Sequence, residues 1–118
     1  MDFKDTTHKD RFEALIEKDE TNRSDIDRMT LFYILSGNHK LTENIDLIYD
    51  FKNHFIQSNI FNHLSLSSSE RGLLELSLNL YNNYSEKENM LSIYEMFSQY
   101  DKDNFELAIA AIRYRFFG

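Results

Sequence analysis

Proline is absent from all 118 residues, and glycine occurs only at Gly37, Gly72 and Gly118. Both residues interrupt helices, proline by removing a donor and clashing with the preceding turn, glycine by its backbone entropy. A chain so poor in both has few forced stops. No stretch alternates polar and apolar residues for long enough to predict a strand. The reading is therefore an all-α fold: one compact domain spanning residues 1–118, a bundle of five to seven short helices.

The boundaries follow from capping chemistry. A first helix is expected from about Thr6 to Lys18, with Phe12, Leu15 and Ile16 on its inner face and His8 one turn before Phe12. The polar segment Lys18–Arg23 reads as a loop. Ser24 can cap a second helix carrying Ile26, Met29, Phe32, Tyr33 and Ile34. Ser36-Gly37-Asn38 would close that helix, with Gly37 in the left-handed conformation. A third helix is expected from about Thr42 to Asn53, with Ile45, Ile48 and Tyr49 inward. His54–Leu66 is irregular, a short helix or an apolar loop held by Ile56, Ile60, Phe61 and Leu64.

Ser67-Ser68-Ser69-Glu70 has the spacing of a capping box, in which the serine and the glutamate satisfy each other's backbone amides. The helix it opens, about 68–84, carries leucines and tyrosines on several sides. That pattern predicts a central helix. Ser85 and Glu88 repeat the box for a fifth helix with Leu91, Tyr94, Met96 and Phe97. Tyr100 and Phe105 flank a cap at Asp101 in the positions of a hydrophobic staple. Short connections imply antiparallel neighbours.

Composition removes functions more readily than it suggests them. With 42% hydrophobic residues the chain can build one core. No cysteine is present, so disulfides and thiolate metal sites are excluded. The opening Met1–Asp5 lacks the apolar stretch of a secretory signal, and no run reaches the ~20 residues of a membrane span. A cytoplasmic protein is the expectation. The net charge of −7 opposes direct binding to nucleic acid.

Chemistry-bearing motifs are few. Three scattered glycines cannot form a phosphate-cradling loop. His8, His39, His54 and His63 lack the paired helical spacing of a zinc protease. Asp101–Glu106 resembles the start of a calcium loop, but Glu106 and Ile112 stand where that loop needs glycine and glutamate. Catalytic, metal and cofactor residues are therefore not assigned. An enzyme with a non-sequential site stays open and predicts a deep pocket with convergent polar groups.

Two surface features remain. Glu43, Asp46 and Asp50 would share one face of the third helix beside Tyr49. Like charges at such spacing repel by roughly a few tenths of a kcal/mol each. No Lys or Arg occurs from Leu41 to Phe51 to offset them. These acids form either a solvated face or a docking surface for a basic partner protein, and Asp19, Glu20, Asp25 and Asp27 could extend it. In the tail, Arg113-Tyr114-Arg115-Phe116-Phe117 could stack on bases, but cations at a helix end complement its dipole, which is the simpler account.

Phe3 with His8 and Phe12, the run Leu31-Phe32-Tyr33-Ile34-Leu35-Ser36-Gly37, Ile48-Tyr49-Asp50-Phe51, Ser69-Glu70 with Leu73-Leu74, and Asn79-Leu80-Tyr81-Asn82 together resemble a family of small helical proteins without assigned function. Its members come from Gram-positive bacteria, their phages and mobile elements. The resemblance implies a bacterial cytosolic setting and carries no site residues. In that setting the leading expectation is a non-enzymatic protein-binding module. It would inhibit a host nucleic-acid-binding protein, in the anti-CRISPR or another anti-defence manner. A structural homo-oligomer, such as a homodimer using exposed aromatics, is the alternative.

Overall fold

The computed structural model describes residues 1–83 and 91–118. Among them are eight helices and one small hairpin: α1 (Thr6–Asp19), α2 (Ile26–Gly37), α3 (His39–Glu43), α4 (Ile45–Ile48), β1 (Tyr49–Asp50), β2 (Phe55–Ile56), α5 (Ile60–His63), α6 (Ser68–Asn82), α7 (Ile93–Gln99) and α8 (Lys102–Phe117). The helical bundle stands as expected. The hairpin is an addition to it.

α1 starts at Asp5, whose carboxylate accepts the His8 amide at 2.8 Å. It ends where Glu20 turns left-handed and its amide reaches back to Glu17 and Ile16. His8, Phe12, Leu15, Ile16 and Asp19 are its buried residues, one stripe at helical spacing. α2 is capped by Asp25, not Ser24. The Asp25 carboxylate accepts the Arg28 amide at 3.1 Å, while Ser24 donates its hydroxyl to the Asn22 side chain at 2.8 Å.

Every residue of α2 from Met29 to Gly37 is buried, because α1, α6, α8 and α3 all pack against it. α6 packs on α2, α7, α8 and α3, so these two helices share the centre. Gly37 does not take the left-handed conformation expected of a helix stop. Its backbone is helical, and the chain turns extended at Asn38. The position is one of close approach. A Cβ there would stand 2.6 Å from both methyls of Leu107 and 3.1 Å from His8 Nε2. Glycine lets α8 lie directly on α2.

The expected third helix, 42–53, is replaced by three short elements, α3, α4 and β1. Asn38 starts α3 early by accepting the Leu41 amide at 3.1 Å. The Thr42 hydroxyl donates to the carbonyls of Leu35 and Asn38, holding α3 against the end of α2. After α4, the Asp50 carboxylate accepts the amides of Lys52 and Asn53 at 2.9 and 3.0 Å. Such local bonds give the backbone an alternative to the helix. The chain therefore turns. Tyr49 pairs with Ile56 and Asp50 with Phe55 in antiparallel register. The irregular stretch that follows contains α5, and Ile60 is its buried anchor.

The capping box at Ser67 and Glu70 is complete, at 3.1 and 2.9 Å. α6 closes at Asn83, which is left-handed. The second expected box, Ser85 with Glu88, lies outside the described residues. The helix carrying Tyr94, Met96 and Phe97 is opened by Ser92 with Glu95, a complete box seven residues further on. Asp101 caps α8 as expected, accepting the Asn104 amide at 2.8 Å. Tyr100 and Phe105 both pack on the ring of Phe97, at 5.1 and 5.9 Å. No helix among the described residues is long and apolar enough to cross a membrane.

Candidate docking site

The least ordinary residue of the fold is Asp19. It lies on the buried stripe of α1, three residues after Ile16, and its side chain has no exposed surface. A carboxylate taken from water must be paired and hydrogen-bonded to remain charged. Asp19 meets both conditions. Its Oδ1 accepts from the Tyr49 hydroxyl at 2.7 Å and from His54 Nδ1 at 2.7 Å. Its Oδ2 accepts from the Thr21 hydroxyl, with an Arg28 guanidinium nitrogen at 4.0 Å. Burial raises the carboxyl pKa, but the bonds from Thr21, His54 and Tyr49 outweigh it and hold the group below its ordinary value. Burial first, and then the bond to Asp19, push the Tyr49 phenol well above its ordinary value.

Arg28 extends the cluster outward. Its Nη2 donates to the His54 carbonyl at 2.9 Å and to the Tyr81 hydroxyl at 3.1 Å. One buried carboxylate thus ties together the end of α1, the start of α2, both sides of the hairpin and, through Arg28, the end of α6. His54 occupies the left-handed region at φ 61°, a conformation uncommon outside glycine. The bond from its amide to the Asp50 carbonyl, at 2.7 Å, holds it there. An aspartate behind a histidine also orients general bases in hydrolases. Here the Tyr49 and Thr21 hydroxyls both donate to Asp19 itself, and the Asp19–His54 pair ties the hairpin to α1.

The surface of this hairpin and of α4 just before it is mixed. Phe55 and Leu47 are each 49% exposed. Asp50 stands opposite Phe55 in the register, on the same side of the hairpin. Asp46 precedes Leu47, and its carbonyl accepts from Gln57 at 3.4 Å. The Asp50 carboxyl is held below its usual range, first by the Asn53 side chain and then by backbone amides.

Against this geometry the expected acidic helix face needs correcting. Glu43 sits on α3, Asp46 on α4 and Asp50 in the turn, so no single helix presents all three. Tyr49 is buried and belongs to the Asp19 cluster. Two of the acids also have side-chain partners. Glu43 meets His39 at 2.7 Å, and Asp46 meets Lys18 at 3.4 Å. Of the acids that could extend the face, Asp19 is interior, Asp25 caps α2, and Asp27 pairs with Arg115 at 2.7 Å. Arg115 also donates to the Leu80 carbonyl at 3.1 Å, which makes this tail arginine a structural tie.

Asp19, His54, Arg28 and Tyr81 are the residues that pattern reading did not bring together. Asp19 carried one signal, its place in register with Leu15 and Ile16. Elsewhere, His8 is buried with Phe3, Phe12 and Tyr33 around it. Its Nδ1 accepts the Lys4 amide at 3.1 Å and its Nε2 donates to the Tyr33 carbonyl at 2.8 Å, the pattern of a neutral ring. A polar cleft of about 220 Å³ lies beside it, between Lys4, Arg11, Asn38 and Asp101. Among the described residues no group of three or more His, Asp or Glu is placed to hold a metal ion.

Fold and site together define a small helical bundle that carries a rigidly pinned hairpin with an apolar and acidic outer face. The chain belongs to the family of unknown function DUF6075, whose model matches residues 1–117. That match covers the last third of the chain as well as the segments that carried the resemblance. Neither the curated proteins nor the solved structures include a match to this chain.

Proposed function

We propose that this protein is a non-enzymatic binding module that docks on a basic protein surface through the outer face of its hairpin. The observation that carries the reading is the half-exposed Phe55 with Asp50 opposite it in the hairpin register, preceded in the chain by the half-exposed Leu47 and by Asp46 on α4. An apolar centre with a charged rim is the usual anatomy of a protein interface. The Asp19 cluster supports the same reading, because a surface held rigid before contact loses little entropy on binding. The net charge of −7 adds attraction toward a cationic partner and speeds the encounter.

The concrete form of the proposal is a phage or mobile-element inhibitor of a host nucleic-acid-binding protein, of the anti-CRISPR or another anti-defence type. The test is affinity capture from a bacterial host lysate. Wild type is compared with Phe55→Ala combined with Asp46→Lys, and both are checked for fold by circular dichroism. The proposal expects a basic protein that is retained by wild type, released by salt and lost with the variant. Equal retention by both chains, at all salt concentrations, rejects it.

A further inference from the structure

We infer that this chain associates with a second copy of itself through the outer face of α8, in antiparallel fashion about Ile109. The inference concerns a surface separate from the hairpin and stands without the docking proposal.

α8 buries Asn104, Leu107, Ala108 and Ala111 against the bundle. The opposite face carries Lys102, Glu106, Ile109, Arg113 and Phe116, all exposed. Their spacings are four, three, four and three, so they line one stripe along which a second helix can lie. Along the same side of the helix, Phe116 is 62%, Phe105 41% and Ile109 39% exposed. Neither the Glu106 nor the Arg113 side chain has an ion-pair or hydrogen-bond partner among the described residues. Two helical turns separate them, about 10 Å of rise, so they do not pair directly with each other.

The order of charges selects both partner and direction. Set against its own copy in parallel, the seam places glutamate on glutamate and arginine on arginine. Set antiparallel about Ile109, it places Glu106 opposite the second copy's Arg113, and Arg113 opposite the second copy's Glu106. Lys102 then faces the second copy's Phe116, a cation over a ring. Ile109 meets itself at the axis. This is the self-complementary pattern that a twofold interface requires. Beside the seam runs an apolar groove of about 740 Å³, lined in part by Ile109, Ala110, Arg113 and Phe117. It gives the second helix a bed on one side, where Ala110 lets it come close.

The experiment is sedimentation velocity across a concentration series at low and high salt. It uses wild type, Glu106→Arg, Arg113→Glu and the double reversal, with circular dichroism confirming that each is folded. Wild type is expected to pass from monomer to dimer and to be weakened by salt. Each single reversal sets like charges together and raises the dimer Kd roughly a hundredfold. The double reversal restores most of the affinity. A wild type that stays monomeric throughout, single reversals with unchanged Kd, or a double reversal as weak as the singles each overturns the inference.

Discussion

The Tyr49 hydroxyl and the Asp19 carboxylate, 30 residues apart in the chain, meet at 2.7 Å in the interior. Removing the hydroxyl in Tyr49→Phe takes one donor from a buried charge and is expected to cost about 2 kcal/mol. Removing the carboxylate in Asp19→Ala strands Tyr49 and unpairs Arg28 within the cluster. That change is expected to cost about 3–5 kcal/mol. Urea denaturation of the two variants checks the order. Equal and small losses would show that the cluster contributes nothing to stability.

The pH dependence of stability follows from two groups. Burial is the largest effect on His8 and holds it below its ordinary 6.5, with the Tyr33 carbonyl opposing. The unfolded chain therefore binds a proton there before the folded chain does. The stability this site contributes is complete above about pH 6.5 and is lost as pH falls toward the folded value. Asp19 behaves in the same direction lower down. Its contribution is complete above its ordinary 3.8 and is lost as pH falls through its depressed folded value. Urea midpoints measured from pH 8 to pH 3 should fall in two stages. His8→Gln should remove the upper stage and leave the lower one. A single acid transition, unchanged by His8→Gln, contradicts the assignment.

The two interior glycines should respond differently to alanine. At Gly37 a methyl group meets both Leu107 methyls at 2.6 Å in a packed core, so Gly37→Ala is expected to destabilise by about 1–3 kcal/mol. At Gly72 the nearest atom is Tyr100 Cε1 at 3.1 Å, on a half-buried ring. The helix propensity gained, about 1 kcal/mol, offsets that crowding and leaves Gly72→Ala near neutral. Thermal and urea unfolding of the pair decides the matter. A neutral Gly37→Ala would mean that α8 shifts freely on α2.

How much of this was legible in the sequence depended on whether the determinants were local. Ser67 with Glu70 and Asp101 signal helix starts within four residues, and both stand where the pattern places them. The break after Ile48 was not legible from periodicity, because Ile45, Ile48 and Tyr49 keep helical spacing up to the turn. What overrides them is a pair of amide bonds to Asp50 and a long-range bond to Asp19. Gly37 looked like a helix stop because glycine usually is one. Its real constraint, the Leu107 side chain, comes from the far end of the chain. The shared face expected of Glu43, Asp46 and Asp50 is absent because the helix that would have aligned them does not form.

Ser92→Ala should act locally. It removes the cap of the seven-residue α7, whose serine hydroxyl accepts the Glu95 amide at 3.1 Å. The expected loss is about 1 kcal/mol. Amide hydrogen exchange should quicken in α7 while protection in α2 and α6 is retained. Uniform quickening across the chain would instead mean that α7 opens only with the whole fold.

The Asp19 cluster also bears on the order in which the chain folds. Its bond to His54 joins residues 35 apart. Closing a loop of that length costs about 3 kcal/mol of chain entropy before any contact compensates. α1 and α2 are joined by a short turn and can pack first, placing the carboxylate in an interior still open on one side. The hairpin is then expected to close over it last. Substitutions such as Tyr49→Phe should therefore hasten unfolding and leave the refolding rate almost untouched.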